Sequence, residues 1–177
     1  ASSDCEKQGG VCNRRSDHPQ RGVWRNWHGQ ELQDCFVQAL LGHKRGGYFI
    51  DLAANDAFVI SNTYVLETHY GWHGLAVEPN PIYHPAHRAM RPNSTLAAVA
   101  VSDTNTVANF KFNGVFGKLG MRGGGKAGGD NSTRVRVVRT DDLFREYAVP
   151  PVIDFMSLDV EGHEASVLAA FPWDTHT

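Results

Sequence analysis

The chain has 177 residues, 41% of them hydrophobic and 20% charged, with a formal net charge of -2. That length fits one domain able to bury a sizeable core, and the charge balance offers nothing to recruit nucleic acid or an anionic lipid surface. No apolar run approaches the roughly 20 residues that cross a bilayer, and no signal peptide opens the chain, although a mature secreted product would have lost one.

Residues 1–28 read as an irregular, polar N-terminal arm containing Pro19 and Gly22. Its segment "CEKQGGVC" shows no periodic burial, and pairing of Cys5 with Cys12 into a small disulfide loop is the expectation, with two free thiols as the alternative. Trp24 and Trp27 are expected to anchor the arm to the domain rather than to grip a sugar. Residues 29–177 form the domain itself. A helix is expected over about 29–42, where Leu32, Cys35, Phe36, Ala39 and Leu40 recur at helical spacing on one face. Cys35 on that face is a core thiol, or else pairs with a cysteine beyond this chain.

Gly46 and Gly47 punctuate the chain, and "YFIDLAA" reads as a buried strand. Residues 60–70 suit a helix with Ser61 or Asn62 as N-cap. "GLAVEP" (74–79) is a second strand, ended by Pro79, and "PAHRAM" a helix with Pro85 in its first turn. "STLAAVAVS" (94–102) reads as a third buried strand. "VANFKF" and "RVRVV" alternate as half-exposed strands do, on either side of a stretch with eight glycines at 114–130 that is expected to be a mobile loop. Its "GMRGGGKA" nearly fits a phosphate-binding loop, but Ala127 lacks the hydroxyl that would hold magnesium and no helix follows. "DDLFREY" (141–147) and "HEASVLAAF" (163–171) suit helices around a fourth buried strand, "VIDFMSLD" (152–159).

Continuous apolar strands alternating with helices indicate an α/β domain with a doubly wound, mostly parallel sheet, whose ligands lie at the carboxyl ends of the strands. Asp51, Glu78 and Asp159 fall there. Asp51 and Asp159 could instead cap adjacent helices; Glu78, in "AVEPNP", has neither role indicated by its neighbours. His84 and His87 are three apart and could share a helical face as metal ligands. No third ligand is evident, so no metal is expected and they read as surface histidines; His163 beside Glu164 is equally open. Asn93 and Asn131 each begin an N-glycosylation pattern. With the Cys5/Cys12 pair they suggest the secretory-pathway lumen or an extracellular location, with the cytoplasm as the alternative.

"GQELQDCFVQALL", "GGYFIDLAANDA", "SNTYVLETHYGWHGLAVEPNP", "RPNST" and "FMSLDVEGHEASVL" resemble the FkbM-type methyltransferases, in order and from about Gly29 to Phe171. The resemblance implies a Rossmann-like sheet of the class I methyltransferase type, S-adenosylmethionine as cofactor, and methylation of a hydroxyl on a glycan or small metabolite. It places Asp51, Asn55 and Asp56 in the cofactor loop and Glu78 at the ribose. It puts Ser102 and Asp103 near the adenine, and Asp159 and Glu161 toward the methyl group and the acceptor, as catalytic residues. Two departures stand out. The family's loop, D-x-G-A-N-x-G, carries Ala53 and Ala57 in place of glycines, and alanine costs on the order of 1 kcal/mol wherever positive φ is required. Restoring both glycines is therefore expected to help cofactor binding, which the alanines put in doubt. The family's sheet also continues beyond the "LDVEG" helix, so the expectation is a sheet incomplete at Thr177, its 152–158 edge covered by further chain or a protein partner. The alternative reading, prompted by Star-type relatives, is an inactive methyltransferase-like module that binds or assembles.

Overall fold

The computed structural model describes residues 27–113, 116–119 and 132–177. The Cys5–Cys12 pairing, Trp24, Asn131, most of the N-terminal arm and most of the glycine-rich stretch lie outside the described residues. The described elements are α1 (Gln33–Leu40), β1 (Tyr48–Leu52), α2 (Tyr64–Tyr70), β2 (His73–Val77), α3 (His84–Met90), β3 (Ser94–Ala97), β4 (Ala100–Ser102), β5 (Thr106–Asn113), β6 (Phe116–Leu119), β7 (Ser132–Arg139), α4 (Thr140–Glu146), β8 (Phe155–Leu158) and α5 (Glu164–Ala169).

A four-stranded sheet runs in the order β3-β2-β1-β8, every pair parallel. This is the expected Rossmann-like arrangement: β1 lies inside the sheet, the chain crosses over through α2 and α3 to reach β2 and β3, and it reaches β8 through four further strands and α4. Ile50 and Leu52 of β1 and Leu75 and Val77 of β2 point to one face, where they join Leu143 and Phe144 of α4 and Val167 of α5. Phe49 points to the other and packs with Val37 of α1, Leu66 of α2 and Trp72. Both faces are therefore apolar, which is why these strands read as continuous hydrophobic runs.

A second sheet, in the order β4-β7-β5-β6, was not legible as such. The single strand expected over 94–102 is two strands, one in each sheet. The reason is chemical. The Glu78 N–H still donates to the Ala97 carbonyl at 3.0 Å, but the next N–H on that side of the strand, that of Asn80, turns back to the Glu78 carboxylate at 2.6 Å and leaves the β2–β3 ladder with no further donor. Released, the chain enters the second sheet as β4, parallel to β7. β5 and β7 are the two alternating strands, paired antiparallel. The glycine-rich stretch read as a loop contains β6, which pairs with β5.

The buried face of α1 also differs from the expected stripe. Phe36 and Leu40 are exposed, whereas Asp34, Cys35, Val37 and Gln38 are buried. Asp34 turns inward because its carboxylate accepts the N–H groups of His28 at 2.7 Å and Cys35 at 2.9 Å, and Gln38 donates to the Lys44 carbonyl at 3.3 Å. Cys35 is buried as expected but disulfide-bonded, not a free thiol. With three cysteines in the sequence, a Cys35 bridge within the chain and a Cys5–Cys12 bridge are mutually exclusive.

α2 begins at Tyr64 with Thr63 as its N-cap rather than the expected Ser61 or Asn62, because the helix starts later than expected. Ser61 Oγ accepts the Tyr64 N–H at 3.2 Å from the turn before it, and the helix ends at Gly71, whose φ of 68° is left-handed. Among the described residues no helix is long and apolar enough to cross a membrane.

Candidate active site

β1 and β2 pair in register through Leu52 and Val77, so their carboxyl ends lie side by side. A cleft of ≈ 350 Å³ opens over these ends and that of β8, within the roughly 300–1,000 Å³ typical of small-molecule sites. Asp51, Ala53, Asn55 and Glu78 line it from the first two strands, and Ser157, Asp159 and Glu161 from the third.

Glu78 is the organising group. It is buried, and its two carboxylate oxygens accept the backbone N–H groups of Asn55 at 2.7 Å and Asn80 at 2.6 Å. It thus ties the loop after β1 to the loop after β2. Burial pushes its pKa up from 4.5 to about 7; the two N–H groups oppose that rise and the charge of Asp51 adds to it. Each oxygen keeps a further lone pair for a ligand hydroxyl.

The loop itself settles the question of the two alanines. Ala53 lies at φ 63°, a left-handed conformation, on the cleft wall. Asn55 is also left-handed, at φ 54°, a conformation that asparagine tolerates better than most residues. Ala57 is different: it is fully buried, lies outside the positive-φ region and does not line the cleft. Its methyl is core packing, so the expectation that both positions want glycine is corrected to Ala53 alone.

Asp51 is buried and accepts the Thr63 hydroxyl at 2.7 Å; burial raises its pKa. Thr63 in turn accepts from the Arg91 guanidinium at 2.9 Å. Arg91 is itself buried in an ion pair with Glu67 at 2.6 Å and donates to the Ala57 carbonyl at 3.3 Å. Glu67 also accepts from the Asn93 N–H at 2.8 Å and from the Ser94 hydroxyl. Asn62 donates to Ser157 Oγ at 3.0 Å, joining the α2 entry to β8.

Not every expected site residue reaches the cleft. Asp56 faces its own loop, accepting the N–H groups of Phe58 at 2.9 Å and Val59 at 2.7 Å, an Asx-type turn. Ser102 is buried and donates to Asp103 at 3.2 Å; its carbonyl accepts from Thr140, and that of Asp103 from Arg139. These two residues do not line the cleft. Ala100 and Val101, just before them, do, so β4 contributes an apolar wall there. Asp159 and Glu161 are exposed at the mouth. The turn that carries Glu161, at φ 54°, is held by Glu164, which accepts the N–H groups of Val160 and Gly162 at 3.1 Å each.

The histidines of α3 are not on the surface. His84 and His87 are both buried, and their Nε2 atoms lie 2.8 Å from the carbonyl oxygens of Glu78 and Asn55 respectively. A carbonyl only accepts, so both Nε2 atoms carry the proton and neither is free for a metal. Burial lowers the His87 pKa. Among the described residues no three His, Cys, Asp or Glu side chains gather as a metal site requires. Sequence reading missed His84, His87, Arg91, Thr63 and Glu67 as site-builders. One signal was available: His84, His87 and Arg91 recur at i, i+3 and i+7, a single helical face.

No match was found among curated proteins, and none among solved structures. The family model of the methyltransferase FkbM domain, however, matches residues 51–177, from the acid near the end of β1 through the cleft to the last residue. That span holds Asp51 and Glu78, the strands β2, β3 and β8 of the parallel sheet and the turn carrying Asp159 and Glu161, and on this match the chain belongs to the FkbM methyltransferase family.

Proposed function

We propose that the domain is an S-adenosylmethionine-dependent O-methyltransferase acting on a hydroxyl of a glycan or small metabolite. The observation that carries this reading is Glu78: a buried carboxylate on the cleft wall at the end of β2, locked onto the β1 loop, with lone pairs left over. Such a group suits the two hydroxyls of a ribose. Asp51 supports the fit by holding the loop entry through Thr63, and Val77, Val101 and Ile60 offer apolar wall for the rest of a nucleoside. The cofactor, when bound, supplies an electrophilic sulfonium methyl group. The chain's own task is then to align the acceptor hydroxyl, because in-line approach dominates such a transfer. Asp159 or Glu161 at the mouth takes the hydroxyl proton. The Cys35 disulfide and the exposed Asn93 support the secretory-pathway lumen or the extracellular space over the cytoplasm.

One observation favours the second reading, an inactive module that binds or assembles with a protein partner. Ala53 holds its left-handed conformation with a methyl on the cleft wall. Titration calorimetry with S-adenosylmethionine and S-adenosylhomocysteine separates the two. Binding, with methyl transfer to hydroxyl-bearing acceptors lost in Asp159→Asn or Glu161→Gln while binding persists, supports the enzyme. No heat from a folded protein defeats it.

A further inference from the structure

We propose that one face of α3, formed by His84, His87 and the C-cap residue Arg91, is a positioning device that sets the cofactor-facing loops through their backbone carbonyls. The proposal rests on the methyltransferase reading only for the identity of the ligand; the clamp itself is a matter of loop geometry.

Each of the three side chains donates to a different backbone carbonyl of the segments that follow β1 and β2. His84 reaches Glu78 O at 2.8 Å, His87 reaches Asn55 O at 2.8 Å, and Arg91 reaches Ala57 O at 3.3 Å. The Asn55 residue is thereby held on both sides: its N–H by the Glu78 carboxylate and its C=O by the His87 imidazole. Glu78 is held likewise, its carboxylate by two backbone N–H groups and its carbonyl by His84. Arg91 extends the same face to the second acid, since it donates to Thr63 and Thr63 donates to Asp51.

The arrangement answers a physical need. Ala53 and Asn55 both sit at positive φ, so the loop is strained and needs outside contacts to stay where it is. Side-chain donors on a packed helix supply them without occupying the cleft. His87 is specialised for this: its Nδ1 is buried with no hydrogen-bond partner, so the ring makes one polar contact, and that contact is the loop carbonyl. A histidine kept solely for core volume would not leave a buried nitrogen unsatisfied where leucine would serve.

The test uses the whole chain without ligand first. Amide hydrogen exchange is measured on wild type, His87→Leu, which keeps bulk and removes the donor, and His87→Gln, whose amide nitrogen can reach the same carbonyl. In wild type the Asn55 and Asn80 amides should be protected. In His87→Leu they should exchange at least about tenfold faster while Ile50 and Leu75 in the strands are unchanged, and His87→Gln should restore them. Affinity for S-adenosylhomocysteine should fall and recover in step. Equal acceleration across the strands, or unchanged Asn55 exchange in folded His87→Leu, overturns the clamp. Unprotected Asn55 in wild type also overturns it, whether or not the variant folds. If the exchange pattern holds and wild type binds no S-adenosylhomocysteine, the clamp stands and the cofactor assignment falls.

Discussion

Replacing Ala53 and Ala57 by glycine, one at a time, should change stability in opposite directions. At Ala53 the backbone has φ 63°, where an L-residue with a Cβ is disfavoured by roughly 1–2 kcal/mol and glycine is not. Glycine gives back about 0.4–1 kcal/mol by loosening the unfolded chain, so the net gain is about 1 kcal/mol or less. At Ala57 no such relief exists. The residue is fully buried outside the positive-φ region, so glycine removes a packed methyl, about 0.8 kcal/mol, and adds roughly 0.5–1 kcal/mol of backbone entropy. The expected loss is about 1.5 kcal/mol. Urea unfolding of both single variants and the double variant reads these differences directly, and calorimetry with S-adenosylhomocysteine reads the site: Ala53→Gly should raise affinity several-fold, Ala57→Gly should not. A stabilising Ala57→Gly, or a destabilising Ala53→Gly, would refute the assignment of strain to Ala53 and of packing to Ala57.

Glu78 should make ligand binding pH-dependent: ribose hydroxyls donate to a carboxylate, so S-adenosylhomocysteine affinity should rise with pH through about 7, as calorimetry across that range would show. The same raised pKa has a stability consequence of opposite sign. The folded protein holds an extra proton between 4.5 and about 7, so this group's contribution is full at low pH and is lost as pH rises through about 7, by about 3 kcal/mol; urea unfolding of wild type against Glu78→Gln should shift toward the variant accordingly. Arg91→Met leaves Glu67 as a buried, uncompensated charge and should cost about 3–5 kcal/mol by thermal or urea denaturation. Gly74→Ala would put a Cβ 2.2 Å from the Phe49 carbonyl oxygen, an overlap with backbone that cannot relax cheaply, so a loss of more than about 3 kcal/mol or failure to fold is expected, read by circular dichroism.

The sequence by itself determined the parallel sheet and the acids at its carboxyl edge. Residues such as Phe49, Ile50, Leu75 and Val77 are apolar in unbroken runs because both faces of their strands are covered, and that need is written locally in each strand. Strand ends likewise announce themselves, as Asp51 and Glu78 do, because a carboxylate that interrupts an apolar run marks where the covered part of the strand gives way to a loop. What tertiary structure alone decided is which polar groups face inward. α1 buries Asp34 and Gln38 and exposes Phe36 and Leu40, since partners outside the helix, at His28 and Lys44, fix its rotation. Ser102 and Asp103 follow an apolar strand as a site residue would, yet Thr140 and Arg139 draw them to the second sheet. His84, His87 and Arg91 share a face in the sequence, but their meaning came from carbonyls far away in the chain. Periodicity records what a residue avoids, which is water, and so reveals the apolar core. A hydrogen bond depends on where its partner stands, and that position exists only once the chain has folded.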